Sequence, residues 1–304
     1  MSPVSVAEAY EQCRVIARRE AKNFYYSFRV LPRAKSDAMC AVYAFMRRAD
    51  DIADDESMPI EDRRVLMTSW LEAWHIARSG GITDDPVFIA VRDTQQRFSI
   101  SNELLDQLVQ GTTMDLLPQE TGAASIQTFA TFDELYHYCY LVASVVGLVC
   151  IRIFGYTDPS AEKLAEETGI AFQLTNILRD VKEDVERGRI YLPLDLLHDF
   201  GVSADHVHAL AGGATIQAND RAMLHTLGSK AEGYYASADR LLPLIDRDSR
   251  AALWVLVTIY HDLLRRIAQQ DGDVFSQRIS VPTAGKLTIL GRGMLMALRN
   301  RIFS

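Results

Sequence analysis

Apolar residues recur with a period near 3.6 along most of this chain, through residues 5–22, 34–56, 61–78, 102–116, 129–154, 159–186, 216–243, 247–270 and 284–301. No run alternates with period two for long enough to build a sheet, so helices must pack on helices. Only 9 prolines and 17 glycines interrupt 304 residues, and they cluster where loops are expected, at Gly80-Gly81, residues 122–125, Gly188 and Gly212-Gly213. Ser36-Asp37, Asp158-Pro159 and Thr283 supply helix-start chemistry. With no repeat and no low-complexity linker, the expectation is one all-α domain over residues 1–304 with a central cavity between its helices.

Two of these helices carry carboxylates at a spacing that an isolated helix disfavours. The first reads Arg47-Arg48-Ala49-Asp50-Asp51-Ile52-Ala53-Asp54, the second Gln173-Leu174-Thr175-Asn176-Ile177-Leu178-Arg179-Asp180-Val181-Lys182-Glu183-Asp184. Residues four apart share a helix face, so Asp50 aligns with Asp54, and Asn176 with Asp180 and Asp184. Like charges so placed repel by a few tenths of a kcal/mol. Paired acids on a helix are usually a solvated face, but here Tyr43-Ala44-Phe45-Met46 precedes one cluster and Ile170-Ala171-Phe172, Leu174, Ile177 and Leu178 surround the other. Acids in such company line an internal cavity and call for a counter-charge. Hard cations with oxygen ligands, Mg²⁺ or Ca²⁺, supply it, and Mg²⁺ commonly completes its shell with water and substrate phosphate. Arg47, Arg48 and Arg179 stand beside the acids, and guanidinium groups grip phosphate oxygens in bidentate fashion. A diphosphate held between two carboxylate rows fits the pattern.

Composition excludes other classes. A net charge of −8, from 32 basic and 40 acidic residues, argues against a nucleic-acid partner. Cys13, Cys40, Cys139 and Cys150 have no metal-ligand spacing and read as reduced core residues. Residues 1–5 lack a basic and apolar leader, so a cytoplasmic location is expected. The apolar run Leu141–Ile151 is too short to cross a bilayer and reads as a buried helix. Its small residues Ala143, Ser144 and Gly147 imply either close helix packing or room for a long hydrocarbon tail. The segment 283–304 mixes Lys286, Arg292, Arg299 and Arg301 with Leu, Ile, Met and Phe. It fits a helix packed on the domain, and equally a peripheral contact with an anionic membrane. No feature assigns an oligomeric state.

Taken together, the chain resembles the squalene/phytoene synthases, which join two prenyl diphosphates head to head in an all-α isoprenoid-synthase (class I terpenoid synthase) fold. The resemblance spans Phe24-Tyr25-Tyr26-Ser27-Phe28 with Leu31-Pro32, the block 43–54, Gln107–Gly111 with Met114-Asp115, the block 138–147, Gln173–Asp180 with Asp184, Gly188–Pro193, and Arg278 and Lys286. It implies that Asp50, Asp54, Asp180 and Asp184, assisted by Asn176, hold Mg²⁺. It assigns diphosphate contacts to Tyr43, Arg47, Gln173, Arg179, Tyr260 and Arg278, with Lys22 and Lys286 near the entrance and Arg48 among the phosphate-binding arginines. Phe24, Val142, Ala143 and Gly147 would wall the hydrocarbon, and Tyr138 would be catalytic. Asn23 replaces a serine common among relatives and can still hydrogen-bond phosphate; Met46 replaces a cysteine. Some family members have degraded aspartate motifs and serve as scaffolds, but this chain keeps all four aspartates.

The run 142–155 looks most like bacterial presqualene diphosphate and squalene synthases, which favours farnesyl diphosphate as substrate, with NADPH needed only if the product is squalene. The alternative is a phytoene synthase acting on geranylgeranyl diphosphate.

Overall fold

The structure is a computed structural model and describes residues 4–21, 25, 27–116 and 128–302. Its helices are α1 (Val6–Glu20), α2 (Arg33–Ala53), α3 (Ile60–Arg78), α4 (Pro86–Arg97), α5 (Asn102–Thr113), α6 (Phe132–Cys139), α7 (Val145–Phe154), α8 (Ser160–Glu186), α9 (Leu194–Asp199), α10 (Ala204–Ala211), α11 (Ala218–Leu241), α12 (Arg250–Gln269) and α13 (Thr283–Ile302). Among the described residues there is no strand, only an isolated bridge between Tyr156 and Ile245. The all-α expectation holds. Helices α4, α9 and α10 were not anticipated. The last two span 6 and 8 residues, too short for a periodic pattern to register, although Asp85-Pro86 is a proper start for α4: Asp85 caps the Val87 and Phe88 amides and proline takes the first turn.

Two apolar clusters form the core. One gathers α1 to α5 with α7, the other α6 and the second half of α8 with α9 to α12. The two acid-bearing helices are anchored by the faces turned away from their carboxylates. Phe45, fully buried on α2, packs against Trp70 and Trp74 of α3, each with ring centroids at 4.9 Å, and Phe88 of α4 closes the group. Helix α8 makes its most extensive contact with α11, where the buried Thr175 hydroxyl meets that of Tyr235 at 3.0 Å.

The stretch 132–154 is one continuous helical rod with a π-helical turn at Tyr140–Ser144 between α6 and α7. It is long and apolar enough to cross a membrane by length and composition, yet half of that window is buried inside the fold. The close packing and the hollow read from its small residues both occur. Ser144 lies so near Gly169 that a Cβ at Gly169 would stand 2.5 Å from the Ser144 Cα, and one at Gly111 would stand 2.5 Å from the Leu141 carbonyl oxygen. Ser144 Oγ donates to the Glu166 carbonyl at 2.6 Å. The other side of the same rod faces a cavity. Cys13, Cys40 and Cys139 are buried and all four cysteines are free.

Candidate active site

A cavity of about 270 Å³ lies between α2, the π turn and α7, α8, and the facing parts of α11 and α12. Helix α2 contributes Met39, Tyr43 and Met46; Asp50 and Asp54 continue the same face one and two turns on. Helix α8 repeats the order, with Ala165, Gly169, Phe172, Gln173 and Asn176 in the wall, followed by Asp180 and Asp184. On both helices the sequence runs from apolar wall residues to acids, so helical register sets the carboxylates toward one end of the cavity, its mouth, beyond the apolar lining. Val142, Ala143 and Gly147 line it, as expected, and Tyr260 joins from α12.

Burial sets the charge state of the mouth. Burial pushes Asp50 up to about 6, and the neighbouring Asp54 carboxylate adds to the shift. Neither acid forms an ion pair with a described residue. Arg47 turns instead to Asp51, at 2.5 Å, and its buried Nε has no hydrogen-bond partner. In the second cluster, burial and then Asp180 push Asp184 up to about 6. Asp180 differs. Burial works to raise its pKa, but the guanidinium groups of Arg179 and Arg278 outweigh that and hold it below the usual range. Arg179 Nε donates to it at 2.8 Å and Arg278 Nη2 at 2.9 Å, while Arg278 Nε lies 3.4 Å from Glu183. Lys286 faces a smaller opening that it shares with Arg179 and Tyr260.

Does this donor set fit a hard dication? Among the described residues no three His, Cys, Asp or Glu side chains converge on one point, so the five assigned ligands do not form a ready cage. The buried Asn176 Oδ1 lacks any partner, and its Nδ2 is turned toward Gln173 Oε1 at 3.3 Å. That orphaned acceptor, one turn before Asp180 on the same helix, fits Mg²⁺ completed by water and phosphate oxygens. Tyr260, stacked on Phe172 at 4.4 Å, accepts a hydrogen bond from Asn176, and burial raises its pKa. Tyr43 is raised by burial too, against the pull of Arg47.

Two expected residues have their described contacts away from the cavity. Arg48 follows Arg47 by about 100° around α2, which turns it toward the start of α4, where it pairs with Asp85 at 3.4 Å. Tyr138 does not line the cavity; it stacks on Tyr191 and Phe129 with centroids at 5.1 and 5.2 Å. Lys22, Asn23 and Phe24 lie outside the described residues. Sequence reasoning missed Met39, Phe172, Cys150, Leu241, Leu253 and Leu256 as wall residues. Met39 and Phe172 were findable at i−4 from Tyr43 and Asn176, whereas the leucines of α11 and α12 belong to no motif.

The fold is all-α, and its two acid-bearing helices both contribute to the wall of one apolar cavity. The sequence profile of the squalene/phytoene synthases matches residues 17–284, and the chain belongs to that family of head-to-head prenyltransferases. It is 35% identical over 310 residues to a 15-cis-phytoene synthase of Synechococcus elongatus, covering 96% of this chain and 94% of the relative. It is 37% identical over 281 residues to a phytoene synthase of Mycobacterium tuberculosis, covering 91% and 87%. Among solved structures, a dehydrosqualene synthase superposes with a TM-score of 0.80 at 29% identity, over 97% of this chain and 98% of that one. A squalene synthase, HpnC, from Alicyclobacillus acidocaldarius superposes with a TM-score of 0.78 at 25% identity, over 89% and 97%.

Proposed function

We propose that this protein condenses two molecules of geranylgeranyl diphosphate, a C20 substrate, to phytoene, with Mg²⁺ as the metal. The observation that carries the chemistry is the paired acidic helices at the mouth of the apolar cavity; the choice of substrate is supported by the phytoene synthases among the relatives. This reverses the preference for farnesyl diphosphate drawn from residues 142–155. The squalene-type enzymes among the structural neighbours keep farnesyl diphosphate as the second reading.

Asp50 and Asp54 on one side and Asn176, Asp180 and Asp184 on the other would hold the metal, which when bound neutralises charge developing on the departing diphosphate. Arg179 and Arg278 are then free to leave Asp180 for phosphate oxygens, and the unpartnered Arg47 Nε offers another donor. Ionisation of the first substrate leaves an allylic cation in the cavity. Its walls, Met39, Val142, Ala143 and Phe172 among them, exclude water and let the double bond of the second substrate attack instead. Proton loss closes a cyclopropylcarbinyl diphosphate. A second ionisation, rearrangement and proton loss complete the product without a hydride donor. NADPH belongs only to the squalene reading.

The test is incubation with geranylgeranyl or farnesyl diphosphate and Mg²⁺, with and without NADPH, followed by mass analysis of the organic extract. A C40 hydrocarbon from geranylgeranyl diphosphate independent of NADPH is expected. A C30 product from farnesyl diphosphate alone would replace this reading with the squalene-type one.

A further inference from the structure

Helix α13 has a surface that neither the core nor the cavity explains. Its 20 residues include Lys286, Arg292, Arg299 and Arg301 and no acid, in a chain with 40 acidic residues against 32 basic. One face packs on α12, with Leu290 and Ala297 buried. Gly293 fits so tightly that a Cβ there would lie 2.4 Å from Val255 Cγ2, and Asn300 Nδ2 donates to the Arg247 carbonyl at 2.9 Å. These contacts fix the roll of the helix and leave a neighbouring face open to solvent. It carries Leu287, Met294, Leu295 and Leu298, exposed by 59%, 40%, 68% and 53%. At about 100° per residue they occupy one sector about 100° wide, with Arg292 and Arg299 side by side along one edge. Neither arginine has an ion-pair partner among the described residues. Beside that edge is a recess lined, among the described residues, by Arg247, Met296, Arg299 and Asn300.

We infer that α13 is the surface by which the protein lies on an anionic lipid bilayer, its leucines entering the acyl boundary and Arg292 and Arg299 meeting lipid phosphates. A stripe of exposed leucines with Arg292 and Arg299 along one edge matches such a surface in both polarity and charge. A second copy of this chain fits less well, because a two-fold contact through this face would set the arginine edges against one another. The helix also begins at the active site. Lys286 shares the smaller opening with Tyr260 and Leu256, which also line the main cavity, so a hydrocarbon leaving that way emerges at the membrane-facing helix. This last point rests on the proposed function; the binding surface does not.

The test uses the full chain and flotation with vesicles of phosphatidylcholine, with or without phosphatidylglycerol, at low and high salt. Binding to the anionic vesicles that weakens with salt is expected. Arg292→Gln with Arg299→Gln should lower the apparent affinity about 30-fold, and Leu295→Gln with Leu298→Gln should abolish flotation. All four side chains are exposed, so unchanged thermal melts will establish that the variants fold. Absence of wild-type flotation, or equal flotation of the leucine variant, overturns the inference. So does a concentration-dependent dimer in sedimentation that the leucine variant abolishes while no vesicle binding is seen. Because the readout is binding and not turnover, failure here leaves the proposed reaction untouched.

Discussion

Replacing Asp50 by asparagine should stabilise the metal-free protein while destroying its response to metal. Burial, with Asp54 behind it, lifts the Asp50 carboxyl from 3.8 to about 6. A carboxyl whose pKa is raised by folding adds stability when protonated, and that stability is lost as pH rises through the folded value. At two units, the cost of ionising it inside the fold has a ceiling of about 3 kcal/mol; hydration at the mouth lowers the expected effect to about 1–2 kcal/mol. Asparagine keeps the shape and removes the charge. In urea titrations with a chelator present, wild type and Asp50→Asn should coincide near pH 4 and diverge as pH rises through 6. At pH 8 the variant midpoint should be higher by about 0.5 M. Adding Mg²⁺ with a non-hydrolysable prenyl diphosphate should reverse the order, since only the wild type keeps both carboxylates. Superimposable curves at pH 8, or a variant less stable at every pH, would refute the reasoning, because Asp50 would then have a compensating partner.

Three further outcomes are expected. Asp54→Asn and Asp180→Asn should each lower turnover by at least about a thousand-fold with circular dichroism unchanged; full activity in either would remove that carboxylate from the chemistry. Gly169→Ala should cost about 1–3 kcal/mol in chemical denaturation, since the new methyl meets the Ser144 backbone at 2.5 Å; an unchanged midpoint would mean that α8 and the π turn slide apart freely. Tyr138→Phe should leave kcat within a few-fold of wild type because its ring stack with Tyr191 survives, and a hundred-fold loss would return Tyr138 to the reaction.

Helical periodicity was enough to foresee an all-α chain, and the i, i+4 register of Asp50 with Asp54 and of Asn176 with Asp180 put the acids on common faces. Both follow from local geometry, which the chain carries residue by residue. The same reasoning places Arg47 on the acidic face and, applied strictly, would have turned Arg48 away from it. Tyr138 lies off the cavity wall in a ring stack with Tyr191, distant in sequence, and Phe129, partners that no local pattern announces. The leucines of α11 and α12 reach the cavity only through the packing of the second core. Arg278, an exposed charge in an irregular stretch, reaches Asp180 across 98 positions of chain. Whatever depended on a helix and its own period was legible in the sequence. The stacking of Tyr138, the far cavity wall and the pairing of Asp180 depended on which surfaces meet, and that is set by the packing of side chains far apart in the chain.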